Sequence, residues 1–88
     1  MSHVEWEAAA REEFYAIWEV AKEAELPALE RAVQGVLADL SSDPLAVGES
    51  RGEPSRVVIC EPLTVWYEVR DDGRQVRIVR VRRPVQRG

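Results

Sequence analysis

Nine of the chain's twelve basic side chains lie from Arg51 onward, and all nine are arginine. Most of them punctuate three apolar, β-type runs: Arg56-Val-Val-Ile-Cys60, Leu63-Thr-Val-Trp-Tyr-Glu-Val-Arg70 and Arg74-Gln-Val-Arg-Ile-Val-Arg-Val-Arg-Arg83. A guanidinium stays protonated, so it cannot serve as a general base. It can grip a phosphate or a carboxylate with paired donors, or stabilise charge developing on a phosphorane-like transition state. The candidates by position are Arg51 and Arg56, where a loop enters the first run, and Arg80, Arg82 and Arg83, at the end of the last. Arg70, Arg74 and Arg77 flank a turn and read as solvated or paired, with Arg77 tied to Glu68.

Other chemistry is sparse. His3 is the only histidine and Cys60 the only cysteine, which sets aside a multi-ligand zinc site and any internal disulfide. Cys60 sits in an apolar run and reads as a small buried hydrophobe. Gly48-Glu-Ser-Arg-Gly52 lacks the Gly-Lys-Ser/Thr signature of a phosphate loop and does not lead into a helix. No motif requires a cofactor. Tyr67 carries the only aromatic hydroxyl in the β-type runs; a catalytic role would need arginines to lower its pKa, and the neighbouring Val65 and Val69 favour a core tyrosine. Trp66 could stack on a base or anchor a protein partner, and a lone aromatic favours the protein.

These residues sit in a chain of 88, enough for one domain with a modest core. The net charge of −4 conceals a division: residues 1–44 hold ten Asp/Glu against three Lys/Arg, and residues 45–88 hold six against nine. Two faces with different partners follow from such a split; a wholly basic nucleic-acid binder does not. No apolar stretch approaches the roughly 20 residues of a membrane span. The N-terminus lacks a basic region followed by an apolar one, so a soluble cytoplasmic protein with no membrane partner is the expectation.

The positioning elements read as α+β. Val4-Glu5-Trp6 alternates like a short strand. Ala10, Phe14, Ile17, Trp18 and Ala21 form one stripe of a helix from Ala8 to about Ala24, with Glu12, Glu13, Glu19 and Glu23 off that stripe. Pro27 opens a second helix, striped by Leu29, Val33, Val36, Leu37 and Leu40, which Ser41-Ser-Asp-Pro44 ends. The short connection predicts an antiparallel helix hairpin. Residues 45–55 read as an irregular loop.

Glu61-Pro62 and Asp72-Gly73 then make the three β-type runs an antiparallel meander. A two-residue Asp72-Gly73 turn pairs Tyr67 with Ile78, Trp66 with Val79, Val65 with Arg80 and Thr64 with Val81. One face then carries Val65, Tyr67, Val69, Val76 and Ile78, to be covered by the helices. The other carries Trp66, Val79 and Val81, to be covered by a partner segment or a second copy.

The order strand, helix hairpin, Gly/Arg loop and meander resembles the RelE/ParE superfamily of type II toxins. The likeness is carried by Asp43-Pro-Leu-Ala-Val-Gly-Glu-Ser-Arg51, Arg56-Val-Val-Ile, Leu63 to Gly73 and Val76 to Arg83, and extends over nearly the whole chain. The resemblance implies a cytoplasmic toxin with a cognate antitoxin. RelE-like members cleave mRNA on the ribosome through attack of a 2′-hydroxyl on the adjacent phosphate; ParE-like members inhibit DNA gyrase without catalysis; a degenerate member would act only through its antitoxin. It implies catalytic positions at Arg56, Tyr67, Arg80 and Arg83, RNA contacts at Arg51 and Arg82, and antitoxin contacts at Trp66, Val79 and Val81. The chain departs from many members by Thr64 in place of a second basic residue, by Arg83-Pro84 in place of a terminal His-Arg or Tyr, and by having Lys22 as its only lysine. The sheet reads first as a protein-binding surface with a basic end, and second as an RNA-cleaving one.

Overall fold

Leu63 to Arg70 alternates buried and less buried residues along its length, which is the pattern of a strand covered on one face only. In the computed structural model, which describes residues 2–84, this strand (β4, Leu63–Arg70) is the centre of a five-stranded sheet of order β1-β5-β4-β3-β2. The others are β1 (His3–Trp6), β2 (Glu49–Ser50), β3 (Ser55–Cys60) and β5 (Gln75–Arg82). Two helices, α1 (Ala8–Val20) and α2 (Leu26–Ser42), cover one face, joined by a single 3-10 turn at Glu23–Glu25. The architecture is α+β, as the residue pattern predicts. The sheet is mixed rather than purely antiparallel, because β1 runs parallel to β5. The loop of residues 45–55 contributes the short β2, paired to Val57 and Arg56.

The core lies between helices and sheet. The two predicted helix stripes enter it: Ala10 of α1 and Leu29, Val36 and Leu40 of α2 are buried, with Phe14, Ile17, Trp18, Val33 and Leu37 packed at its margin. From the sheet come Val58, Leu63, Val65, Tyr67, Val69, Val76, Ile78 and Val81. Trp6, Phe14 and Trp18 form a tilted ladder at centroid spacings of 5.9 Å, closing the β1 side.

The turn chemistry follows the sequence. Asp72 and Gly73 take positive φ values of 53° and 87°, and Arg74 N–H donates to the Asp71 carbonyl at 3.0 Å. These two are the left-handed central pair of a tight hairpin turn, and Asp71 before them is left-handed as well, at φ 56°. It sets the predicted register for the first four pairs, from Arg70–Gln75 to Tyr67–Ile78. The register then shifts by one: Trp66 pairs with Arg80, Val65 with Val81 and Thr64 with Arg82. Val79 is the extra residue of a β-bulge. The unbulged pairing would have put Arg80 and Arg82 on the helix-covered face, where an unpaired guanidinium is prohibitively costly to desolvate. The bulge moves both arginines outward and turns Val81 into the core, where it is 1% exposed.

Candidate functional site

Arg56 and Tyr67 are cross-strand partners on β3 and β4, so both face the helix side. Tyr67 is fully buried and its hydroxyl donates to the Pro44 carbonyl at 2.9 Å. Arg56 lies 11% exposed against Glu53, at 2.9 Å. Its Nη2 donates to the carbonyls of Leu45 at 2.9 Å and Gly48 at 2.8 Å. The Tyr67 hydroxyl beside it, then Glu53, hold the guanidinium above its ordinary pKa against the opposing effect of burial. The Tyr67 hydroxyl and both terminal nitrogens of Arg56 are thus spent on the segment 44–53, while Arg56 Nε is buried without a partner among the described residues. Gly48 is part of the same arrangement: a Cβ there would stand 2.6 Å from the Val57 carbonyl oxygen and would collide with the Tyr67 hydroxyl. Arg56 and Tyr67 fasten a loop to the sheet.

The remaining candidates separate into two places. Arg51 follows β2 at the far edge, exposed and 3.3 Å from Glu49. With β3 and β4 between β2 and β5, it stands three strand spacings, about 14 Å, from β5. Arg80, Arg82 and Arg83 gather at the end of β5. Arg80 is exposed on the uncovered face, its guanidinium 5.8 Å from the centroid of the Trp66 ring, a cation–π contact. Arg82 and Arg83 turn around the edge toward the helices, where Arg82 pairs with Glu13 of α1 and Arg83 with Glu25 of the 3-10 turn.

Glu13 and Glu25 are neighbours of the arginine end that composition could not reveal. Glu13 reads from the sequence only as an off-stripe acid, and Glu25 carries no signal. Beyond Trp6, β1 no longer covers β5, and Glu13 fills the vacated edge: its carboxylate accepts from the Val81 backbone N–H at 3.0 Å and from Arg82. Burial acts to raise the Glu13 pKa, but the Val81 N–H, Arg82 and the field of Arg80 outweigh it and leave the carboxyl below its ordinary range. Arg83, and then the Lys22 N–H, likewise hold Glu25 low.

The uncovered face differs in detail from the expected stripe. Trp66 and Val79 are half-buried and remain on offer, while Val81 is buried in the core through the bulge and does not. Ile59, 70% exposed, replaces it; it pairs with Thr64 beside Val57 and Trp66. The Glu68–Arg77 tie is also corrected. The two residues are cross-strand partners, but Glu68 pairs with Arg70 at 3.2 Å and Arg77 with Glu7 at 3.7 Å. Among the described residues no helix is long and apolar enough to cross a membrane.

No protein-family model matches the chain, and no curated protein matches its sequence. Solved structures do match. A chain of the chromosomal ParDE toxin–antitoxin system of Pseudomonas aeruginosa superposes with a TM-score of 0.73 at 19% identity, over 97% of this chain and 98% of that one. A chain of the RelBE2 toxin–antitoxin complex of Mycobacterium tuberculosis gives 0.73 at 23% identity, over 97% and 93%. The isolated RelE toxin of Escherichia coli gives 0.67 at 15% identity, over 98% and 87%. At these identities the likeness is one of fold, and the fold of this chain is that of the RelE/ParE toxins.

Proposed function

We propose that the chain is the toxin of a type II toxin–antitoxin pair, that it acts in the cytoplasm, and that it works on RNA through the arginine end of its sheet. The observation that carries the RNA part is the gathering of Arg80, Arg82 and Arg83 at one end of β5, with Arg80 lying over Trp66. Guanidinium groups beside a flat aromatic suit a phosphate backbone and a stacked base. When a 2′-hydroxyl oxygen bonds to the adjacent phosphorus and the 5′-oxygen leaves, charge builds on the phosphoryl oxygens. Arginine donors can stabilise that charge. Arg56 and Tyr67 are left out of this role because their polar atoms already hold the loop of residues 44–53. The antitoxin is assigned to the uncovered sheet face around Trp66, Val79 and Ile59.

Induction in cells followed by primer extension on abundant mRNAs tests the proposal. Codon-phased cuts that vanish in an Arg80→Ala/Arg83→Ala variant are expected; intact transcripts in growth-arrested cells overturn the RNA part. A second reading, a non-catalytic toxin directed at gyrase, draws support from the buried Tyr67 hydroxyl, which is bound to the Pro44 carbonyl and does not reach solvent to exchange a proton. Inhibition of supercoiling by purified gyrase, with transcripts intact, would select it.

A further inference from the structure

Two carboxylates of the helix layer occupy two of the three arginines at the end of β5. Each carboxylate is held independently of its arginine: Glu13 by the Val81 backbone N–H at 3.0 Å and Glu25 by the Lys22 backbone N–H at 2.8 Å. The glutamates therefore stay in place when an arginine swings away. Both pairs are open to water, with the Arg82 side chain 46% and the Glu13 side chain 26% exposed. Partly exposed pairs of this kind are weak and yield to a competing anion. Among the described residues Arg80 forms no ion pair and is the only one of the three whose guanidinium is not engaged by a carboxylate, though its field reaches Glu13.

We propose that Glu13 and Glu25 form an internal latch that occupies Arg82 and Arg83 in place of phosphate, and that an RNA backbone engages the arginine end by displacing the two carboxylates. The proposal rests on the RNA reading above. Carboxylate and phosphate compete for the same guanidinium fork, and the carboxylate is already seated. The isolated chain then meets RNA with one arginine ready and two held back. A phosphate that draws Arg82 and Arg83 away also meets the repulsion of the carboxylates left behind. The latch thus lowers RNA affinity without blocking the site sterically, which suits a chain whose helical half is strongly acidic.

The test is binding of a short, fluorescein-labelled single-stranded RNA, followed by anisotropy at low salt. Glu13→Gln/Glu25→Gln is compared with Glu12→Gln/Glu19→Gln, which removes the same charge from exposed positions of α1 that form no ion pair among the described residues. The latch-free variant is expected to bind roughly tenfold more tightly than this control, on the scale of two released surface pairs. The gain should vanish when Arg82→Ala/Arg83→Ala is added. Equal affinities of latch-free variant and control overturn the latch. Weaker binding by the latch-free variant also overturns it, since the glutamates would then be positioning the arginines. In either case RNA binding that is lost in Arg80→Ala/Arg82→Ala/Arg83→Ala leaves the RNA reading standing. Absence of RNA binding in every variant overturns both. Should circular dichroism show the double variant unfolded, Glu25→Gln alone against Glu23→Gln serves, with about a threefold gain expected on the same scale.

Discussion

Arginine identity alone does not say whether a guanidinium works on a ligand or on its own chain. Arg56 shows the difference. Its entry position between loop and sheet suggests ligand contact, yet its donors go to Leu45, Gly48 and Glu53. Arg56→Ala leaves the Leu45 and Gly48 carbonyls without that donor and is expected to cost about 2–3 kcal/mol. Tyr67→Phe removes the donor to Pro44 and is expected to cost about 1–2 kcal/mol. Because both fasten the same loop, the double variant should cost less than the two combined, by about 0.5 kcal/mol or more. Urea unfolding of the four proteins measures all three quantities; strict additivity would separate the two residues into independent roles. Should the chain arrest growth as proposed, loss of that effect in Arg56→Ala alone is accordingly explained by lost stability, whereas Arg80, exposed on the sheet face, is free of that confusion.

The elements divide into those legible from residue pattern and those set by distant contacts. Helix stripes and turn pairs were legible because they repeat every three or four residues, or sit at Asp-Gly. Gly35 is an element-scale exception: its place inside α2 reads as a weakness, and an added Cβ would meet only Cys60 Sγ, at 3.8 Å. Gly35→Ala is therefore expected to stabilise the chain by about 0.5–1 kcal/mol, seen as a rise of several degrees in Tm. The bulge at Val79 was also legible in principle, since Val76 and Ile78 alternate inward from the turn while Arg80 and Arg82 must alternate outward at the far end. The Glu13 bridge to β5 was not, because nothing local in α1 marks one glutamate among several for a strand edge 68 residues away. That bridge carries a pH signature. Glu13 and Glu25 have folded pKa values below their ordinary ones. Their contribution is thus complete above the unfolded glutamate value of about 4.3 and is lost as pH falls through the lowered folded value. Wild type should melt higher than Glu13→Gln at neutral pH, and that advantage should fade in acid; a Tm difference constant down to pH ~3 would contradict it.

At the scale of the molecule, the charge division seen in the two halves becomes a division between layers. The helix layer is acidic and the sheet layer basic, and Glu7–Arg77, Glu13–Arg82 and Glu25–Arg83 tie one to the other along the β1–β5 side. Among the described residues the opposite face of the sheet has no such cover. There Trp66 lies beside Val57 and under Arg80, with Ile59 exposed next to them. An apolar centre with an arginine rim suits a partner segment that is apolar on one side and acidic at its margin. Under the function proposed above, that segment belongs to an antitoxin, and the product of an adjacent gene is the first candidate to test. Trp and Arg are the residue types on which interface energy concentrates. Trp66→Ala should therefore weaken binding of the adjacent gene's product by about thirtyfold or more, equivalent to about 2 kcal/mol. Ile59→Ser, at a position 70% exposed, should weaken it by a smaller factor while leaving the thermal melt within a degree or two. Calorimetric titration with the purified product, alongside melts of both variants, separates lost contact from lost fold. Unchanged affinity in both variants would move the proposed antitoxin contact off this face, to the groove between α1 and α2 lined by Phe14, Tyr15, Trp18 and Val33.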